Sequence, residues 1–177
     1  MGAKTKIPVE ITRPGVISTT ILIFCGGPGD RMFHEIRTEI EISAVPSRVW
    51  EVLTDFSHYP DWNPFILELK GSVRQGATIT YRFACPRGIR IWTAAEILRF
   101  EQERELRWAA HFLTPRVFNG EHYFVIAPRS GGGVIFRHGE IFSGLLLPVV
   151  RPILRKYGPR IYQALNSALK QRVQALL

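Results

Sequence analysis

Residues 45–65 read VPSRVWEVLTDFSHYPDWNPF. Pro46 suits the first turn of a helix, where its missing N–H leaves no partner unsatisfied. Val49, Val52, Leu53 and Phe56 follow with the i, i+3, i+4, i+7 spacing of one buried face. The run then meets Tyr59-Pro60-Asp61-Trp62-Asn63-Pro64, where the residue ahead of each proline is pushed out of the helical region. The stretch predicts two short helical pieces joined at a bend and closed by an aromatic turn.

The flanks decide what the bend belongs to. Before it, from Phe33, Glu35, Arg37, Glu39 and Glu41 alternate with Ile36, Thr38, Ile40 and Ile42, a half-buried strand. After it, six more segments read as strands: Ile66 to Val73, Thr78 to Cys85, Arg90 to Phe100, Glu105 to Phe112, Asn119 to Pro128 and Gly133 to Phe142. Turn signals separate them, among them Arg74-Gln75-Gly76, Pro86-Arg87-Gly88 and Ser130-Gly131-Gly132. Connections this short join antiparallel neighbours. In the last segment Gly158-Pro159 should start a fresh helix carrying the stripe Ile161, Tyr162, Leu165, Leu169, Val173 and Leu176. Leu145 to Tyr157, with Pro148 and Pro152, reads as a broken or kinked lead-in. The order strand, two short helices, six strands, long helix is α+β. An antiparallel sheet with one apolar face must cover it, and only the terminal helix is large enough.

Composition bounds the class. At 177 residues, 46% apolar and 21% charged, the chain suits one globular domain with a real core. Cys25 and Cys85 make no disulfide framework and fit neither metal-binding spacing nor a redox pair, so no metal or cofactor is expected. No apolar run approaches the ~18 residues of a spanning helix. The net charge of +8 is unevenly placed: no acidic residue follows Glu140, while Arg151, Arg155, Lys156, Arg160, Lys170 and Arg172 do. Such a tail can meet anionic membrane, or be a solvated helix face. The other arginines stand singly, without an aromatic–basic ladder, and no nucleic-acid partner is expected.

Residues 1–32 differ from the rest. Lys4 and Lys6 precede the apolar run Val16 to Cys25, and Gly26-Gly27-Pro28-Gly29 follows it. Glu10, Pro14 and Ser18-Thr19-Thr20 argue against a secretory signal, and Phe24 stands where a lipoprotein box needs a small residue. The expectation is an N-terminal extension over 1–32, poorly ordered or packed as one strand, ahead of a ligand-binding domain at 33–177. The compartment expected is the cytoplasm, with peripheral membrane contact through Arg151, Arg155, Lys156 and Arg160.

This order, with particular residues, resembles the START-like superfamily, also described as the helix-grip or birch-pollen-allergen fold. The matching passages are Ile40-Glu41-Ile42-Ser43-Ala44-Val45-Pro46-Ser47-Arg48-Val49-Trp50 and Tyr59-Pro60-Asp61-Trp62-Asn63-Pro64-Phe65. To these add Leu106-Arg107-Trp108, Phe136 to Gly144 and Ala164 to Lys170. The branch it resembles most is the bacterial polyketide cyclase/dehydrase and lipid-transport group, over Phe33 to Leu177. The resemblance implies a curved sheet of about seven strands around a long C-terminal helix, enclosing an apolar cavity. It does not fix function, because the fold hosts carriers, cyclases, hydrolases and stress proteins.

Alternation proposes the cavity walls. Phe136, His138, Glu140 and Phe142 share one face of the last strand; His122 and Phe124 share one face of the strand before it. A three-residue loop, Arg129 to Gly131, would set His122 opposite His138 and Phe124 opposite Phe136; a four-residue loop would put them on opposite faces. Trp92, Trp108 and Phe112 are further wall candidates, and Trp62 and Asn63 either cap the mouth or belong to the core. His138 and Glu140 could act as acid and base or anchor a ligand's polar end. Equally, they could bond each other or the terminal helix to satisfy buried polar groups. The leading expectation is a binding or carrier domain for a small hydrophobic molecule such as a lipid, isoprenoid or polyketide. A polyketide cyclase/aromatase or dehydratase in the same cavity is the alternative.

Overall fold

The computed structural model describes residues 8–9, 21–24, 33–85 and 88–177. Most of the 1–32 extension, and Pro86 and Arg87 of one predicted turn, lie outside the described residues. Two short strands, β1 (Pro8–Val9) and β2 (Ile21–Phe24), precede β3 (Phe33–Ile42). Then come α1 (Pro46–Thr54), a 3-10 turn (Phe56–His58) and α2 (Tyr59–Trp62). The meander β4 (Ile66–Gly71), β5 (Thr78–Ala84), β6 (Arg90–Glu101), β7 (Glu105–Phe112), β8 (Phe118–Pro128) and β9 (Val134–Ser143) leads into α3 (Leu147–Gln174). All strands pair antiparallel, in the order β1-β2-β3-β9-β8-β7-β6-β5-β4. The seven strands from Phe33 to Ser143 are those the alternation predicts; β1 and β2 extend the sheet beyond β3.

The bend forms as its sequence dictates. Val49, Val52, Leu53 and Phe56 are all buried against the sheet, and Trp50 joins them with its ring 5.2 Å from Phe100. The Tyr59 hydroxyl donates to the Leu53 carbonyl at 2.8 Å, tying the second helical piece back to the first. Asn63 is not a mouth residue. Its buried Oδ1 accepts from the Phe65 and Ile66 amides at 3.0 and 2.8 Å, which turns the chain into β4. Trp62 packs on Tyr59 at 5.0 Å, at the same end.

Two expectations are corrected. Gly158-Pro159 does not start a new helix: α3 runs unbroken through Pro152 and Pro159. Each proline removes one ladder N–H, but both ends of the helix are held, by buried Leu147 and by the buried stripe Tyr162, Leu165, Leu169 and Val173. Gly158 serves a close approach instead, since any side chain there would collide with Ile36 of β3. The β8–β9 register is the second correction. Arg129 N bonds Gly133 O at 3.0 Å across a loop of five residues, so the partners slide by two positions. His122 faces Glu140, Phe124 faces His138, and Ile126 faces Phe136. A slip of two preserves the faces, so the inward set stands although its pairing changes.

Candidate functional site

Between the sheet and the N-terminal half of α3 lies a cavity of about 500 Å³. Its walls include Tyr81 and Phe83 of β5, Ile91 and Trp92 of β6, Ala110 and Phe112 of β7, and Phe118 and Gly120 of β8. Phe142 of β9 and Leu154, Tyr157 and Tyr162 of α3 complete the apolar enclosure, with His122 and Glu140 as its inner polar groups.

Of the residues proposed from alternation, Trp92, Phe112, His122, Glu140 and Phe142 line this space. Trp108, Phe124, Phe136 and His138 do not: all four are buried side by side in solid core. The cause is α1 and its following turn, which put Phe56 edge-on to Trp108 at 6.3 Å and fill that half of the groove. Trp62 and Asn63 lie at the filled end, so the mouth is elsewhere. It opens among Cys85 and Ile91 at one hairpin, Phe112 and Leu113 after β7, and Val150, Ile153 and Tyr157 on α3.

The polar end is a chain of side chains reaching from β3 to the cavity. Thr38 Oγ1 donates to the His138 carbonyl at 3.0 Å. Asn166 Nδ2 bonds Thr38 Oγ1, and Asn166 Oδ1 meets His138 Nδ1, both at 2.9 Å. His138 Nε2 lies 2.5 Å from His122 Nε2, the two ring planes within 4° of parallel and their centroids 4.7 Å apart, so that the rings meet end to end. Tyr162 stands edge-on to both imidazoles and donates its hydroxyl to Glu140 Oε2. Glu140 Oε1 lies over Gly120, where a side chain would collide with it. Both His138 and Glu140 thus bond the terminal helix, through Asn166 and Tyr162.

The family model for polyketide cyclase / dehydrase and lipid transport matches residues 34–174. The chain belongs to this family. No protein of curated function is a significant match. Solved structures of the same fold include a START superfamily protein from Mycobacterium smegmatis, 20% identical, with TM-score 0.66 over 81% of this chain and 99% of that one. The Zhui aromatase/cyclase from Streptomyces sp. R1128 is 14% identical, with TM-score 0.64 over 80% and 94%. Norcoclaurine synthase from Thalictrum flavum, in complex with dopamine and hydroxybenzaldehyde, is 15% identical, with TM-score 0.61 over 81% and 87%. At these identities the likeness is one of fold.

In this member of the polyketide cyclase / dehydrase and lipid-transport family, burial sets the charges of the polar end. Desolvation, opposed by the bonds to Asn166 and the Tyr162 backbone, leaves His138 with its pKa lowered to about 3. Desolvation and the neighbouring His138 lower His122 well below its ordinary value. Burial raises Glu140 to about 7, although the Tyr162 hydroxyl bond pulls the other way. Burial therefore favours the uncharged form of both rings and of the carboxyl. Among the described residues no group of three or more His, Cys, Asp or Glu is arranged to hold a metal ion.

Alternation placed Thr38 and Gly120 on inward strand faces without giving either a role, and it missed Tyr162 as a cavity group and Asn166 as the partner of His138. Asn166, a lone amide inside the stripe Tyr162, Leu165, Leu169, was the visible signal. Thr38 likewise sits among inward isoleucines of β3. No helix among the described residues is long and apolar enough to cross a membrane.

Proposed function

We propose that this protein binds and carries a small hydrophobic molecule of the lipid, isoprenoid or polyketide kind in the cavity between sheet and α3. The observation that carries this reading is the cavity itself: about 500 Å³, walled by aromatic and aliphatic side chains with few polar groups at one end. That is the build of a small-molecule site, where apolar walls give affinity and a few polar groups give orientation. The test is saturable binding of the apolar fluorophore N-phenyl-1-naphthylamine. Ala110→Trp, which fills the space between β7 and α3, should abolish the signal; equal binding by that variant overturns the reading.

Entry from an anionic membrane surface fits the mouth. Ile91, Trp92, Phe112, Leu113 and Ile153 all line the cavity and all are exposed. Leu113 is 75% exposed and stands at φ +61°, a strain on the order of 1 kcal/mol kept at an apolar tip. The surrounding sequence, 84–93, 111–118 and 144–161, contains Arg87, Arg90, Arg116, Arg151, Arg155, Lys156 and Arg160 but no Asp or Glu. Each basic residue near an anionic surface contributes about 1 kcal/mol. Vesicles containing phosphatidylserine should therefore pellet more protein than phosphatidylcholine alone, and Leu113→Ser should reduce the difference. Equal pelleting with both overturns the docking.

A second reading, a cyclase/aromatase or dehydratase, is favoured by one observation: His122, Glu140 and Tyr162 all line the cavity. An imidazole and a carboxyl of raised pKa have the chemistry for proton transfer. Cyclisation of a linear polyketone thioester that is lost in Glu140→Gln, with fluorophore binding kept, selects this reading. No turnover by the wild type selects the carrier.

A further inference from the structure

The hydrogen-bond chain behind the cavity has a direction. The His138 carbonyl accepts only, so the Thr38 proton is committed to it and Thr38 Oγ1 is left to accept from Asn166. This fixes which way the Asn166 amide points and turns its Oδ1 toward His138 Nδ1, which must carry a proton to answer it. A neutral His138 then has a bare Nε2. Two N–H groups cannot face each other at 2.5 Å, so the proton between the rings belongs to His122 Nε2. The lone pair of His122 is thereby placed on Nδ1. No hydrogen bond reaches Nδ1 among the described residues, and Glu140 Oε2 is 3.8 Å away, too far for a direct bond. One oxygen about 2.8 Å from each atom spans that distance.

We propose that His122 Nδ1 and Glu140 form a hydroxyl-recognition site, selecting neutral apolar ligands that carry one alcohol or phenol group. Thr38, Asn166 and His138 act as positioning residues that hold the acceptor tautomer of His122. The ligand's O–H donates to Nδ1 and its oxygen accepts from the Glu140 carboxylic acid. The raised Glu140 pKa and the lowered pKa values of both histidines agree with this neutral donor–acceptor pair. A carboxylate or phosphate ligand would find no counter-charge in the walls, because no lysine or arginine among the described residues lines the cavity. The inference rests on reading the cavity as a ligand site.

The test is calorimetric titration of 2-naphthol, 2-methoxynaphthalene and 2-naphthoate. Wild type should bind the naphthol about tenfold or more above the ether, roughly the worth of one buried hydrogen bond, and the naphthoate most weakly. His122→Phe should erase the naphthol preference, and Asn166→Leu or Thr38→Val should reduce it, while the ether still binds. Equal naphthol and ether affinities, or tightest binding of the naphthoate, overturn the hydroxyl site but leave the cavity reading intact. Failure of all three to bind overturns both. Nitrogen-15 NMR of the wild type provides a readout independent of variant folding. His122 Nδ1 should show a pyridine-type shift that changes in Thr38→Val; a pyrrole-type shift in the wild type refutes the assigned tautomer.

Discussion

The two ends of the groove under α3 share one sheet face and one helix, yet only one of them is solid. At the C-terminal end of α3, α1 and its bend push Val49, Leu53, Phe56 and Tyr59 against Ile97, Leu106 and Trp108, and all seven are buried. At the N-terminal end no inserted element among the described residues covers the sheet, and Val150, Ile153, Leu154 and Tyr157 look across an open space to Tyr81, Phe83 and Phe118. Charge differs as well. The filled end carries Glu51, Asp55 and Asp61 beside Arg48, His58 and Arg172, whereas the segments around the mouth have no acidic residue. The cavity is the part of the groove the bend does not reach.

The largest expected effect would come from emptying the filled end. Trp108→Ala removes a fully buried ring packed on Phe56, Tyr81 and Phe124, and should cost about 3–5 kcal/mol in urea unfolding. A loss below about 1 kcal/mol would mean that this end also contains free space, and the contrast would collapse.

Acid should weaken the fold next, by a few kcal/mol at about 1.4 per pKa unit. His122 and His138 are held neutral, and so is buried His34, lowered to about 4 by desolvation and by Arg151 and Arg155. These groups protonate first in the unfolded chain, so their stabilisation is complete above pH 6.5 and is lost as pH falls toward 4. Glu140 works in the opposite sense: its contribution is complete below pH 4.5 and is lost as pH rises through about 7. Three groups outweigh one, and the urea midpoint should fall from pH 6.5 to 4.5. Glu140→Gln should steepen the fall. At the other end, His58 is solvent-exposed and its pKa is raised by its bond to Asp55, so His58→Gln should leave the acid limb unchanged. A flat wild-type profile would show the imidazole pair to be hydrated.

Asn63→Ala probes the filled end. It unmakes two bonds to backbone amides and should cost about 1–3 kcal/mol without changing fluorophore affinity. A weakened affinity would place Asn63 at a second opening. The smallest stability effect belongs to the mouth: Phe112→Ser, at a side chain 59% exposed, should change stability by no more than about 0.5 kcal/mol while weakening fluorophore binding. Strong destabilisation would show that Phe112 closes a core.

Much of this was legible in the chain. Alternation found all seven strands from Phe33 to Ser143, because a half-buried strand writes its two faces into successive residues. It found the inward set of β8 and β9 even though the loop length, and with it the pairing, was misjudged by two. It could not separate Trp108 from Phe112, since both point inward from β7 and only their depth under α1 distinguishes them. The prolines of α3 misled for a related reason. Local preference counts the lost N–H groups, while burial of Leu147 on one side and Tyr162 to Val173 on the other keeps the helix whole.

The sequence by itself determined the element order, the apolar face of each element and the inward placing of His122, His138 and Glu140, because periodicity is a local property of the chain. The tertiary structure alone decided which inward residues meet solid core and which meet space. It also decided that His138 would lean on Asn166 and Thr38, residues 28 and 100 positions away, and leave His122 to face the cavity. Those outcomes depend on packing between elements distant in sequence, and no local pattern encodes them.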